Sequence, residues 1–460
     1  MALGDYRRVM GDHFPKYMFL GFCQDADDLA IAGATEAQHL LYEKVAWSIV
    51  DAATGKPEVL GLRYGENPGQ EAALYRPING NLTLAGIEFV SSGDLVGSID
   101  SEAMIQSGKH PGKTNLTDID NGLNILKYFP DHAAAVILKH NNPSGAALGK
   151  TIFEAYTRAW EADPIAPMGG ALVVNRPLDK QTAEAVAERY YEIVCAPDFE
   201  PGVVEILSAR KNLRIIRIRN IAKLSEHLGE RFIDLKSLCD GCIIPQWSFV
   251  PTIGPDKKVI RSWTDIKELA VVPTDVPERD DSTGRLIRTG KSASTGRKPT
   301  DDEYRDLWFG WMVEAGVISN SVLTVKNLAT VSIAAGGQDR VSISKLAVAK
   351  AYESRRALFA LQRHGMLYDA LALEVRERRK PQTLLDEIDR DVAAINGGLK
   401  GAVAVSDAFF PYRDGADALL DQGITAIIQP GDALRDYDVI LACNERNATM
   451  VFTGQRSFRH

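Results

Sequence analysis

Residues 134–145 read Ala-Ala-Val-Ile-Leu-Lys-His-Asn-Asn-Pro-Ser-Gly. Five apolar residues make a run long enough for a buried strand, and a turn bearing Pro and Gly cuts it off. The flanking sequence repeats the theme. Helical spacing covers 118–129 and 151–161, followed by an apolar strand at 170–174, a helix at 180–190, a strand at 193–196 and a helix at 203–210. Strands separated by helices of this length imply right-handed crossovers and a largely parallel or mixed sheet. The fold class is therefore α/β.

The same alternation resumes toward the C-terminus. A helix at 301–315 leads to strands at 322–325 and 330–333, then to helices at 343–362 and 383–395. Strands at 403–405, 425–428 and 450–452 alternate with helices at 416–422 and 437–444. A polar stretch rich in Ser, Thr, Gly and charge at 273–303 interrupts the two series. At the other end, Leu40, Leu41, Val45, Ala46 and Ile49 fall on one stripe at helical spacing, which predicts a helix over 32–50. The expected organisation is a helical N-terminal extension at 1–57, an α/β unit at 58–270, a linker or mobile loop at 271–300 and a second α/β unit at 301–460.

Composition narrows the function classes. The 460 residues are 45% hydrophobic and 25% charged, ordinary for a globular protein with several cores. A net charge of −8 argues against nucleic-acid binding, which needs a basic face, but leaves room for a local phosphate pocket. No apolar run approaches the roughly 20 residues that span a bilayer, and the first residues lack a signal-peptide core. Five cysteines, an odd number on a long chain, fit a reduced compartment, so a cytoplasmic location is expected. Cys239 and Cys242 have CxxC spacing, yet no second pair or suitably spaced His pair completes a zinc set. They read as packed or free thiols, and no metal site is expected.

The strand end at 139–145 is the first candidate for chemistry. Loops at strand ends of α/β sheets are exposed while the sheet fixes their origin. Lys139 brings a cation that can stabilise an oxyanion, and His140 an imidazole suited to proton transfer near neutral pH. Arg63 and Tyr64, in a turn-rich loop, offer a guanidinium that forks onto phosphate oxygens beside a phenol. Ser319-Asn320-Ser321 opens the 322–325 strand with an amide between two hydroxyls. Residues 406–415 follow the 403–405 strand and hold three aromatics near two acids and a base, a composition that stacks a planar ligand or buries under a partner. The last residues, 454–460, taken alone, read as a frayed terminus.

Taken together, these segments resemble a known family. RYGENPGQ at 63–70, KHNNPSG at 139–145, DPIAPMGG at 163–170, SNS at 319–321, SDAFFPYRD at 406–414, IIQPGDALRD at 427–436 and FTGQRSFRH at 452–460 occur in the family's order. The family is the bifunctional purine enzyme that joins AICAR (5-aminoimidazole-4-carboxamide ribonucleotide) transformylase to inosine monophosphate cyclohydrolase, and the match is to its transformylase half. The resemblance implies two cytidine-deaminase-like α/β/α units with mixed sheets, and formyl transfer from 10-formyltetrahydrofolate to the 5-amino group of AICAR. Lys139, His140 and Asn320 match the catalytic positions. Arg63 and Arg456 match the grips on the nucleotide phosphate, with Tyr64, Phe409, Arg340 and Gly169 completing the substrate site. Met168, Pro411, Tyr412 and Asp414 match the folate side. A homodimer with shared active sites and a structural potassium ion also come with the family. About 60 residues precede the match, so formyl transfer without ring closure is expected, with a separate cyclohydrolase as pathway partner.

Three departures fall near the expected folate side. Met168 stands in place of an aromatic, Asp339 in GGQDR in place of a serine, and Asp432 in place of a second glycine. They leave open another formyl donor on the same fold, or a non-catalytic purine-nucleotide-binding protein. No P-loop pattern supports an ATP-dependent formate route.

Overall fold

The computed structural model describes residues 13–23, 38–50, 56–65, 70–84, 87–88, 95–108, 110–253, 256–267, 269, 274–279 and 286–460. The chain divides into two compact units, one of Met1–Leu123 and Gly169–Val250, the other of Asn124–Met168 and Pro251–His460. Both mix helix and strand, so the α/β class expected from the alternation holds.

In the first unit, Gly170–Val174, Tyr191–Ala196 and Arg214–Arg217 run parallel, and Met104–Gln106 joins Arg214–Arg217 antiparallel. The crossover helices Lys180–Ala187 and Val203–Ser208 follow their strands as the pattern predicts. The N-terminal part corrects the expectation. Gln38–Val45 is a strand, paired antiparallel with Tyr17–Phe22 on one edge and Leu74–Gly80 on the other. Trp47–Val50 then pairs with Pro57–Leu60. Leu40 and Val45 are buried in either reading, because a short apolar cluster fits a helical stripe as well as a strand. Two flanking strands that satisfy its backbone decide for strand. The residues of the expected helix before Gln38 lie outside the described ones.

The second unit carries a mixed sheet in the order Thr449–Phe452, Ala426–Gln429, Val403–Ser406, Val322–Lys326, Ala329–Ala334, Asn142–Gly149, Ala133–Lys139. The first three strands are parallel and the rest antiparallel. Its core gathers Val322, Ile343, Phe410, Leu419, Ile427, Val439 and Met450. The apolar run at 134–138 does not pass into a crossover. It turns back on itself as a hairpin, whose return strand bonds to a partner about 180 residues downstream: Ala146 N–H donates to Thr330 Oγ1 at 3.0 Å and Leu148 N–H to the Leu328 carbonyl at 2.9 Å. That pairing accompanies a unit that is discontinuous in sequence, built from Asn124–Met168 and Pro251–His460, beside the expected boundaries of 58–270 and 301–460. The Lys-His turn belongs to the same unit as the 406–415 segment. Gly145 allows the close packing behind it, since a Cβ there would lie 1.9 Å from the Ala159 carbonyl of helix Ile152–Ala162. The stretch expected as a linker contains a further hairpin, Thr274–Arg279 with Leu286–Ala293.

Candidate active site

Lys139 and Asn142 close the 133–149 hairpin, leaving a loop of two residues. His140 and Asn141 both have positive φ, 53° and 63°. That is the backbone of the tightest hairpin turns, in which asparagine is readily accommodated and histidine less often. The turn projects His140 from the strand end, where it is exposed. The Lys139 ammonium donates to the Met168 carbonyl, so Met168 contributes its backbone here while its side chain is 70% exposed.

Two other segments converge on this turn. Asn142 Oδ1 accepts from the Ile318 N–H at 3.0 Å. Arg459 donates to the Asn141 carbonyl and to Asn141 Oδ1, both at 2.9 Å, and to the Gly316 carbonyl at 2.8 Å. Ser319 N–H donates to the Arg459 carbonyl at 3.0 Å, and Ser457 N–H to the Asp407 carbonyl at 3.0 Å. The C-terminal tail is thus woven into the unit, and the reading of 454–460 as frayed is corrected.

Each member of the Ser319-Asn320-Ser321 triplet has its own buried partner. Ser319 donates to Asp407, Ser321 to Glu314, and Asn320 Oδ1 accepts from Arg340 Nη2 at 2.8 Å. Asn320 Nδ2 donates to the Gly337 carbonyl at 3.0 Å, which fixes the amide orientation and leaves one amide hydrogen for a ligand. Arg340 also pairs with Asp407 at 2.7 Å and donates to the Ser321 carbonyl at 2.7 Å. Asp407 and Glu314 are both fully buried. Burial first, and then the nearby Asp407 charge, push the Glu314 carboxyl well above its usual range, so it is held neutral. One guanidinium therefore balances one carboxylate, and the second acid stays protonated.

The aromatic segment divides by face. Phe410 is wholly buried in the core, so only part of the expected aromatic surface exists. Phe409 is half-buried, and the Arg456 guanidinium sits 5.0 Å from its ring centre and 5.6 Å from that of Phe458. Such stacking pre-orients a cation while leaving its donors outward. Pro411 and Asp414 are exposed, and Tyr412 is exposed with Arg435 5.4 Å from its ring centre. Asp414 Oδ1 accepts from the Gly415 N–H at 2.8 Å at the start of helix Arg413–Leu420.

Arg63, Tyr64 and Gly169 belong to the first unit. The Arg63 guanidinium lies 4.4 Å from the Tyr64 ring centre and donates to the phenol oxygen. The pair is pinned from behind: Arg63 N–H donates to the Pro111 carbonyl at 3.2 Å, and Lys113 N–H to the Tyr64 carbonyl at 3.0 Å. Arg214, 2% exposed, leans on the His110 carbonyl at 3.5 Å and on Glu192 Oε2 at 3.4 Å. Burial, then the charges of Arg63 and Arg214, lower His110 to about 4. Burial likewise lowers Arg214 to about 10 against the pull of Glu192. This is a local excess of positive charge, suited to an anion. Gly169 has φ +76° and donates its N–H to the Tyr190 carbonyl at 2.8 Å.

Residues 26–350 match the family described as AICARFT/IMPCHase bienzyme. The chain belongs to that family. It is similar to the bifunctional purine biosynthesis protein PurH of Persephonella marina, 33% identical over 400 residues that cover 87% of this chain and 59% of that protein. The PurH of Aquifex aeolicus is 31% identical over 412 residues, with 88% and 62% covered. That of Xanthomonas campestris pv. campestris is 31% identical over 404 residues, with 88% and 58% covered. The chain spans about three-fifths of the length of these curated relatives.

Within this AICARFT/IMPCHase family member, the second unit carries Lys139, His140, Asn320, Arg340, Phe409 and Arg456, with Arg340 on Asn320 and Arg456 on Phe409. Two of the departures have structural roles here. Asp339 caps helix Arg340–His364, accepting from the Ser342 N–H at 2.7 Å. Asp432 takes the left-handed backbone, φ 73°, that a glycine adopts freely. Cys239 and Cys242 are free and exposed at a hairpin tip rather than packed. Among the described residues no group of three His, Cys, Asp or Glu side chains is placed to hold a metal ion, and no helix is long and apolar enough to cross a membrane. Sequence reasoning missed Asp407, Glu314, Arg459, His110 and Arg214. Only Glu314 carried a signal, as a lone acid in the apolar run Trp311-Met312-Val313-Glu314-Ala315.

Proposed function

We propose that this chain transfers a formyl group from 10-formyltetrahydrofolate to the 5-amino group of AICAR, in purine nucleotide biosynthesis. What supports the reading is the two-residue turn that presents Lys139 and His140, which Asn142 Oδ1 ties to the Ile318 N–H, two residues before an Asn320 amide held by Arg340. Family membership and relatives named as purine biosynthesis proteins support it.

The AICAR amine is a weak nucleophile, because its lone pair is delocalised into the imidazole carboxamide. As its nitrogen attacks the formyl carbon, His140 takes the N–H proton and Lys139 faces the oxyanion of the tetrahedral intermediate. The bond from carbon to folate N10 then breaks, and N10 leaves with a proton returned from His140 or Lys139. The products are formylated AICAR and tetrahydrofolate, so atoms and charge balance. Asn320 directs its remaining amide hydrogen at the carboxamide, Arg456 grips the phosphate, and Phe409 packs against the ring; Arg63, on the first unit, offers an anion grip of its own. Met168, Pro411, Tyr412 and Asp414 line the folate side, and the active enzyme is a homodimer with shared sites.

Mixing the protein with AICAR and 10-formyltetrahydrofolate and following tetrahydrofolate absorbance tests this. Turnover in wild type with a loss of about 10²–10⁴ in His140→Ala is expected. Absence of turnover while AICAR still binds would overturn the donor assignment. Binding that is indifferent to both Arg456→Gln and His140→Ala would overturn the site.

A further inference from the structure

A cavity of about 390 Å³ opens in the second unit, lined by Arg158, Glu161, Lys326, Arg355, Gly398 and Lys400 among others. It lies at the opposite end of the strands from the Lys139–His140 turn. Lys326 and Ala329 are the paired residues at the far end of their hairpin, whereas Val322, at the near end, pairs with Ser406 next to Asp407.

Four cations meet one carboxylate in this cavity. Two cations have their work assigned. Arg158 donates to the Leu148 carbonyl at 2.5 Å and to the Asn327 carbonyl, with Glu154 3.8 Å away. Lys326 donates to the Lys400 carbonyl at 2.6 Å. Arg355 is different. Among the described residues it donates no hydrogen bond, and Glu161 is the one opposite charge acting on it. Burial lowers its pKa, which means that its charge is incompletely compensated. The backbone makes room for it: Asn396, Gly397 and Gly398 all have positive φ, and a Cβ on Gly398 would lie 3.1 Å from Arg355 Nη2. A partly buried guanidinium with five idle donors, in a cleft with an excess of positive charge, is costly unless an anion completes it.

We propose that this cavity is a second ligand site, one that binds a small phosphate monoester with its phosphate on Arg355, Lys326 and Lys400. The planar fork of Arg355 matches two phosphate oxygens, and the two ammonium groups supply further point charges. Glu161 faces the same space and suits a ligand hydroxyl rather than a second phosphate. The volume falls in the range of small-molecule sites and holds a sugar phosphate.

Calorimetric titration of the full chain with ribose 5-phosphate, and separately with inorganic phosphate, tests the site. Arg456→Gln is the background, which weakens phosphate binding at the candidate active site, and the Arg355 and Lys400 variants assign what remains. On that background ribose 5-phosphate is expected to bind, and Arg355→Gln to weaken it by about tenfold or more. Lys400→Gln, at an exposed turn that does not endanger folding, is expected to weaken it by a smaller factor, and formyl transfer by the single variants Arg355→Gln and Lys400→Gln is expected to be unchanged. Tighter binding of ribose 5-phosphate than of phosphate assigns the sugar to Glu161; equal binding assigns the site to phosphate alone. No binding on the Arg456→Gln background, or binding that Arg355→Gln and Lys400→Gln both leave intact, would overturn the proposal whatever the fate of the formyl-transfer reading.

Discussion

Arg459 grips Asn141 twice, through the backbone carbonyl and through Oδ1, both at 2.9 Å, across 318 residues of chain. Arg459 thereby holds the second residue of the turn that presents His140. The positive φ of Asn141 places its carbonyl and side chain on the same side, where one guanidinium reaches both. The tail is part of the scaffold of the site, although it has no regular secondary structure of its own.

Arg459→Gln should therefore lower activity without touching a reacting atom. Three charged hydrogen bonds are lost, each worth about 1.5–3 kcal/mol when intact, although a glutamine recovers part of one. The expected result is a fall in kcat of roughly tenfold or more, from a less fixed turn. AICAR affinity, measured by calorimetry, should change much less. An unchanged kcat would show that the turn holds its shape unaided.

Arg340 and Asp407 form a buried ion pair at 2.7 Å, and Asn320 depends on the same guanidinium. Removing Arg340 as Arg340→Met strands a buried carboxylate and should cost about 3–5 kcal/mol in urea denaturation. Adding Asp407→Asn removes the stranded charge and should restore a large part of that loss. The double variant should still be slow in turnover, because Asn320 has lost the Arg340 bond to its Oδ1 and keeps only the one to the Gly337 carbonyl. Additive destabilisation in the double-mutant cycle would contradict a direct pair.

Glu314 is held neutral by burial, so its folded pKa lies above its unfolded value. The unfolded carboxyl releases its proton as pH rises through the usual carboxylate range, while the folded one keeps it. Stability from this group is full at low pH and is lost as pH rises toward the folded pKa. Glu314→Gln mimics the neutral acid and can still accept from Ser321. Its melting temperature should equal or exceed that of wild type at pH 8, with the advantage disappearing in acid. A large loss at pH 8 would mean that the charged form is the native one.

His110 works in the opposite direction. Its imidazole titrates at about 4 when folded against 6.5 when unfolded. As pH falls below 6.5 the unfolded chain takes up a proton that the folded chain refuses, so stability declines until about pH 4. The full separation corresponds to roughly 3 kcal/mol. His110→Gln should flatten the stability profile between pH 6.5 and 4 in thermal melts. A profile identical to wild type would place the acid sensitivity elsewhere.

Much of the site is legible in the sequence because its residues sit in compact strings. Lys139-His140, Ser319-Asn320-Ser321 and Phe409 each follow or precede an apolar strand, and strand ends are where α/β sheets present side chains. The supporting shell is not legible in this way. Asp407 looks like any acid in a polar loop, and Arg459 like any basic residue at a terminus. Their importance comes from partners 88 and 318 residues away. The aromatic segment shows the same limit at short range: Phe409 and Phe410 are adjacent, yet one meets Arg456 and the other vanishes into the core, because successive residues leaving a strand face opposite ways.

The sequence by itself determined the α/β class, the position of most helices and strands beyond residue 110, and which polar side chains stand at the strand ends. These depend on hydrophobic period and turn residues, which act over a few positions of chain. Tertiary structure alone decided that 38–45 is a strand, that 133–149 is a hairpin, and that the units interleave along the chain. It also decided that a buried arginine, a neutral glutamic acid and a tail residue hold the candidate catalytic groups in place. Backbone hydrogen bonds and buried charges must be satisfied by whichever partner the fold supplies, and that partner can lie anywhere in the sequence.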